Sequence, residues 1–168
     1  MNLHHIVSPD RVLLRITTPI PEPEEGEEQI SGSALRDFKE EVLGEIADAI
    51  ESSGSVGRIN RLRRELHLRE GKASTAVGRG IAFPHIRTLQ VREMTGAIAL
   101  APEGIPFDSP DGEPVRLIVM LVSPKGEERA HLNLVRRFSE VFQGDAALAE
   151  VLQAQSEHEV IRILDSYL

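Results

Sequence analysis

The stretch GRGIAFPHIR, Gly78 to Arg87, organises the rest of the chain. Two glycines flank Arg79, and a Gly-x-Gly bend lets the backbone approach a neighbour closely because neither glycine carries a Cβ. The apolar run Ile81-Ala82-Phe83 reads as a brief buried strand. Pro84 has no N–H to give, so it interrupts pairing and biases Phe83 toward an extended conformation. This predicts that His85 stands at a strand end, on a stiffened backbone, beside the glycine bend. Such a position mounts an imidazole well for nucleophilic work. It is equally a strand end that happens to carry a histidine, and the local sequence leaves both readings open.

Outward from this stretch, the apolar pattern alternates between strand and helix. Thr95 to Ala101 reads as a strand, and Val115 to Ser123 (VRLIVMLVS) as a central strand buried on both faces. Between them Gly104 to Pro114 is turn-rich, with Asp111-Gly112 as its strongest turn signal. Upstream, Val12 to Ile16 can form a first strand. Ser33 is a plausible N-cap for an amphipathic helix that runs to about Glu51 on Leu35, Phe38, Val42, Ile46 and Ala49. A second helix is expected from about Ser55 to Arg69, and Gly71 to Gly80 as a polar connection. Downstream, a helix starts near Glu127. His131, Val135, Phe138 and Phe142 share one stripe of it, so His131 points inward near the helix start. Gly144 stops that helix, Asp145 can cap the next, and Ser156 and Glu159 have capping-box spacing for the last. The mixture predicts an α/β chain of the α+β type: one mixed β-sheet flanked by helices on both faces, a three-layer α/β/α sandwich in a single domain spanning residues 1–168.

Composition excludes several classes of function. There is no cysteine, which removes disulfides, thiolate metal sites and cysteine nucleophiles and suits a reducing cytoplasm. The net charge is −8, with no Trp and one Tyr, which argues against nucleic-acid binding. No apolar run is long enough to span a membrane, and the N-terminus lacks a signal-peptide pattern. The proline- and glutamate-rich stretch Thr17 to Gly32 reads as an exposed acidic loop, a solvated surface or a docking surface for a basic partner. Arg58, Arg61, Arg63, Arg64 and Arg69 on the second helix are read first as a solvated face that balances this loop.

Six histidines are present, His4, His5, His67, His85, His131 and His158. None has zinc-helix spacing, so no metal is expected. No phosphate-loop or dinucleotide fingerprint occurs, and no nucleophile elbow supports a Ser74–His85 hydrolase. His67 and His158 read as surface, and His4 and His5 lie in a terminal segment. A histidine on an apolar helical stripe, as His131 is, is either a satisfied core residue or a functional one.

Taken together, GKASTAVGRGIAFPHIR, GIPFDSPDGEPVRLIVMLVSP and HLNLVRRFSEVF resemble the fructose/mannitol-class enzyme IIA domain of the bacterial phosphoenolpyruvate-dependent sugar phosphotransferase system, including its nitrogen-regulatory branch. The resemblance rests on Ser74, Thr75, Gly78, Gly80, Ala82, Pro84 and His85, on Asp111, Gly112, Pro114 and Val115, and on His131-Leu132, in that order. It implies that His85 accepts a phosphoryl group from the phosphocarrier HPr and passes it to a IIB component or to a regulatory target. It further implies that His131 hydrogen-bonds the phosphoryl group and that Arg69 is its charge partner. Ser74, Thr75, Gly78 and Gly80 would support the loop, with backbone N–H groups of the glycine bend available to the anion. No cofactor and no membrane insertion are implied. With no IIB, IIC or HPr segment recognisable, the expectation is a free-standing cytoplasmic subunit.

Overall fold

The apolar runs are laid into a sheet whose centre is the longest of them. In the computed structural model, which describes residues 2–168, the strands are β1 (Val12–Leu13), β2 (Ala76–Gly78), β3 (Ile81–Ala82), β4 (His85–Thr88), β5 (Thr95–Ile105) and β6 (Val115–Pro124). The sheet order is β1-β5-β6-β3-β2, and β4 also pairs with β6, beyond β3. β5 and β6 are antiparallel, β2 and β3 are antiparallel, and β1 on β5 and β3 and β4 on β6 are parallel. The sheet is therefore mixed. The helices are α1 (Gly32–Glu51), α2 (Ile59–Lys72), α3 (Glu128–Val141), α4 (Ala146–Val151) and α5 (Glu157–Tyr167).

The two-residue period of β6 divides the interior in two. Leu117, Val119 and Leu121 face α3, α4 and α5 in one apolar cluster, with Ile98, Leu100 and Phe83. Ile118, Met120 and Val122 face α1 and α2 in the other, with Ala97, Ala99 and Ala82. All six β6 residues are at most 1% exposed. Each such burial is worth roughly 1.5–3 kcal/mol, so this strand anchors both layers. The three-layer α/β/α arrangement expected from the sequence is the one observed.

Several boundaries differ from expectation. The N-cap of α1 is Ser31, whose hydroxyl accepts from Ala34 N–H at 3.1 Å, and Ser33 lies inside the helix. Only Val12 and Leu13 of VLLRI pair as a strand; the chain bends at Leu14 and Arg15, and the Ile16 N–H then bonds the Leu100 carbonyl at 3.0 Å. The second helix begins at Ile59, not Ser55. Val56 is held in a bridge to Val91, and Gly57 N–H bonds the Gln90 carbonyl at 2.6 Å, so these residues are extended. The same helix runs past Arg69 to Lys72. Part of the polar connection, Ala76 to Gly78, is strand β2. Residues 22–29 are exposed, as the acidic composition suggested.

Candidate active site

His85 does not end a strand. It opens one: Pro84 leaves a gap in the ladder, and β4 resumes along β6 with His85 opposite Leu121. The glycine bend does not adjoin it. Gly78, Arg79 and Gly80 turn between β2 and β3 at the Val115 end of β6, where the Gly80 carbonyl accepts from Arg116 and Leu117. Ile81 lies opposite Leu117 and His85 opposite Leu121, four residues along β6 and so about 13 Å away. The Arg79 N–H is already bonded to Asp111 Oδ2 at 2.7 Å. The bend is a turn whose positive φ values, 90° at Gly78 and 81° at Gly80, require glycine. It offers nothing to an anion at His85.

What holds His85 is its own chain. Its Nδ1 lies 2.8 Å from the carbonyl oxygen of Phe83. A carbonyl only accepts, so Nδ1 carries the proton and Nε2 keeps the lone pair. The Phe83 ring packs 5.1 Å from the imidazole and 5.4 Å from Phe138, centroid to centroid, and walls one side. Burial holds the His85 pKa below 6.5, against the opposing effect of the Phe83 bond, and the nearby Arg69 guanidinium lowers it further. The ring is therefore neutral at physiological pH and nucleophilic at Nε2.

His131, in the first turn of α3, stands with its ring 5.6 Å from that of His85. Its Nδ1 is 2.7 Å from Ser123 Oγ. Ser123 is fully buried at the end of β6, and His131 is 4% exposed. Burial, with His85 and Arg87 adding repulsion, pushes the His131 pKa down to about 4. A charge partner on the site would reverse that.

Both histidines line an open cleft of about 710 Å³ with Arg69, Lys72, Arg87 and Lys125, and with Leu68, Ile86 and Glu65. Arg69 hydrogen-bonds the Ala73 carbonyl at 3.0 Å. Arg87 is shared with Glu128 at 3.3 Å, and Glu65 is engaged by the Thr88 hydroxyl. The cleft is cationic and can disperse the charge of a phosphoryl group. Of the arginines on α2, Arg69 enters the cleft, Arg63 pairs with Asp48, and Arg61 and Arg64 are exposed; Arg58, the residue that precedes the helix, is exposed too. Ser74 and Thr75 do not line the cleft. Ser74 Oγ donates to the Phe107 carbonyl at 3.0 Å, and Thr75 N–H and Oγ1 donate to Glu70 at 3.0 and 2.5 Å. His4, His5 and His158 are exposed, and His67 is half-buried 3.6 Å from Glu40.

The family model of the phosphoenolpyruvate-dependent sugar phosphotransferase system, EIIA 2, matches residues 27–167. The chain belongs to this family. The fructose-specific EIIA component of Haloferax volcanii is 32% identical to this EIIA-family chain, over 75% of it and 82% of the relative. The fructose-specific EIIABC component of Bacillus subtilis is 28% identical over 77% of the chain, which spans only 20% of that relative's length. Among solved structures, the nitrogen regulatory protein IIA-Ntr of Neisseria meningitidis superposes with a TM-score of 0.80 at 25% identity, over 98% of this chain and 99% of its own. The enzyme IIAMTL of Escherichia coli, solved in complex with phosphorylated enzyme IIBMTL, shares the fold with a TM-score of 0.68 at 16% identity, over 95% of this chain and 97% of its own.

Sequence reasoning missed four contributors. Phe83 acts through its carbonyl, and no side-chain pattern signals that. Ser123 left one signal that went unread, a hydroxyl at the end of an apolar run. Lys39 and Glu70 occupy apolar-stripe positions, Lys39 with Leu43 and Ile46, Glu70 with Leu62 and Leu66, and a charge on such a stripe is a signal of a buried pair.

Proposed function

We propose that His85 carries a phosphoryl group on Nε2, accepted from phosphorylated HPr and passed to a IIB component or another protein acceptor. The observation that carries this reading is the Nδ1–H bond to the Phe83 carbonyl, which fixes the tautomer and leaves Nε2 as nucleophile at the cationic cleft. The Nε2 lone pair attacks phosphorus, the bond between phosphorus and its donor atom breaks, and that bond's electron pair leaves with the donor. Onward transfer is the same displacement with the acceptor attacking. Arg69 disperses the equatorial charge. His131 donates Nε2–H to a phosphoryl oxygen while its Nδ1 accepts from Ser123 Oγ. No metal or cofactor enters the scheme, since in-line displacement at phosphorus needs alignment and positive charge more than covalent help. HPr and the acceptor dock from the cytoplasm, and nucleic acid has no part.

A regulatory reading shares this chemistry and differs in the acceptor. The likeness to a nitrogen regulatory protein over nearly the whole chain favours it. The two separate in one experiment. After phosphorylation by phosphoenolpyruvate, enzyme I and HPr, the label is chased with a purified IIB protein. Loss of label to IIB within seconds supports transfer. Retention of label, with capture of a kinase or transporter by only one phosphorylation state, supports the regulatory role.

A further inference from the structure

Glu70 lies next to Arg69 on α2, but its side chain turns inward and is 4% exposed. Lys39 of α1, also buried, meets its Oε1 at 2.8 Å and stacks over the Phe107 ring at 4.9 Å. The same carboxylate accepts the Thr75 N–H and hydroxyl, so it clasps the turn 73–75 from inside. Two bonds leave that turn for the cleft. The Ala73 carbonyl accepts from Arg69 at 3.0 Å. The Thr75 carbonyl accepts from the Phe83 N–H at 2.9 Å, and the Phe83 carbonyl accepts from His85 Nδ1. One buried carboxylate thus supports both the arginine and the peptide that orients the imidazole.

We infer that Glu70, paired with Lys39, is a positioning residue for phosphoryl transfer: it sets the tautomer and aim of His85 and the placement of Arg69 through the turn 73–75. This rests on the phosphohistidine reading above. A buried ion pair is weak evidence for stability, because desolvation offsets most of the attraction. Here each carboxylate oxygen is also hydrogen-bonded, and every bond points toward one turn. Outer partners of this kind fix ring orientation in other histidine sites.

The test compares Lys39→Met/Glu70→Ala with Lys39→Met/Glu70→Gln, neither of which leaves a buried lone charge. Glutamine can still accept from Thr75 N–H, and alanine cannot. The readouts are the 15N shifts of the His85 ring, which report its tautomer, and the rate of phosphate uptake from HPr. The alanine variant should show mixed tautomers and uptake slowed at least about tenfold, and the glutamine variant should recover most of both. A folded alanine variant with a pure Nδ1–H tautomer and wild-type uptake overturns the inference. Should the alanine variant not fold, Thr75→Val removes one bond of the clasp and decides by the same readouts: tautomer mixing with slower uptake supports the inference, and wild-type values overturn it. Wild-type protein that takes up no phosphate would sink the function reading, while the tautomer comparison would still judge the clasp.

Discussion

His85 Nδ1 donates to the carbonyl oxygen of Phe83, two residues earlier in the chain, at 2.8 Å. The protonated nitrogen is therefore fixed by backbone, and Nε2 is left with its lone pair. The 15N spectrum of the free protein should show His85 as a single Nδ1–H tautomer. Burial and Arg69 keep its pKa under 6.5, so the ring should protonate only below that pH. A titration midpoint above 6.5, or a dominant Nε2–H form, would contradict the geometry.

His131 makes stability depend on pH. Its pKa is about 4 in the folded chain and 6.5 when unfolded. Between those values the unfolded chain binds a proton that the folded chain refuses, so stability falls as pH drops from 6.5 toward 4. The loss should be on the order of 2–3 kcal/mol. In His131→Leu the denaturant midpoint should fall less between pH 7 and pH 4.5 than in wild type. Equal slopes would refute the assignment.

Phosphorylation should reverse the balance at His131. A phosphoryl anion on the neighbouring ring, 5.6 Å away in centroid distance, favours the imidazolium. The His131 titration, followed by NMR in the phosphorylated protein, should move up from about 4. An unmoved or lowered midpoint would place the phosphoryl group elsewhere.

Arg69 brings a guanidinium to the cleft and makes one structural bond, to the Ala73 carbonyl. Arg69→Gln should slow phosphate uptake by about a hundredfold, as loss of a charge-stabilising donor commonly does. Arg69→Lys should recover part of it, and the melting temperature should change little. Uptake in Arg69→Gln within threefold of wild type would remove this residue from the chemistry.

How far the sequence reached is visible at these residues. The three layers were legible because Leu117 to Val122 is apolar at every position, short, and rich in branched aliphatics, which fits a strand covered on both faces. His85 and His131 were legible through the motif and the helical stripe, and the structure brings them together. The glycine bend misled, because closeness in sequence is not closeness along a strand: four residues of sheet separate it from His85. The orienting carbonyl of Phe83 and the clasp of Glu70 depend on backbone geometry and long-range packing, which no local pattern encodes.

The bend offers a control. A Cβ at Gly78, where φ is 90°, would stand 3.0 Å from Asp111 Oδ2. Gly78→Ala should cost about 1–2 kcal/mol of stability and leave phosphate uptake by the folded protein unchanged. Slower uptake at full folding would mean that the bend communicates with His85 after all.

The most direct measurement is intact-protein mass spectrometry after incubation with phosphoenolpyruvate, enzyme I and HPr, for wild type, His85→Ala and His131→Ala. The account predicts one acid-labile phosphate on wild type, none on His85→Ala, and slower uptake on His131→Ala. Phosphate retained by His85→Ala, or none on wild type while a control IIA protein is labelled alongside, would contradict it.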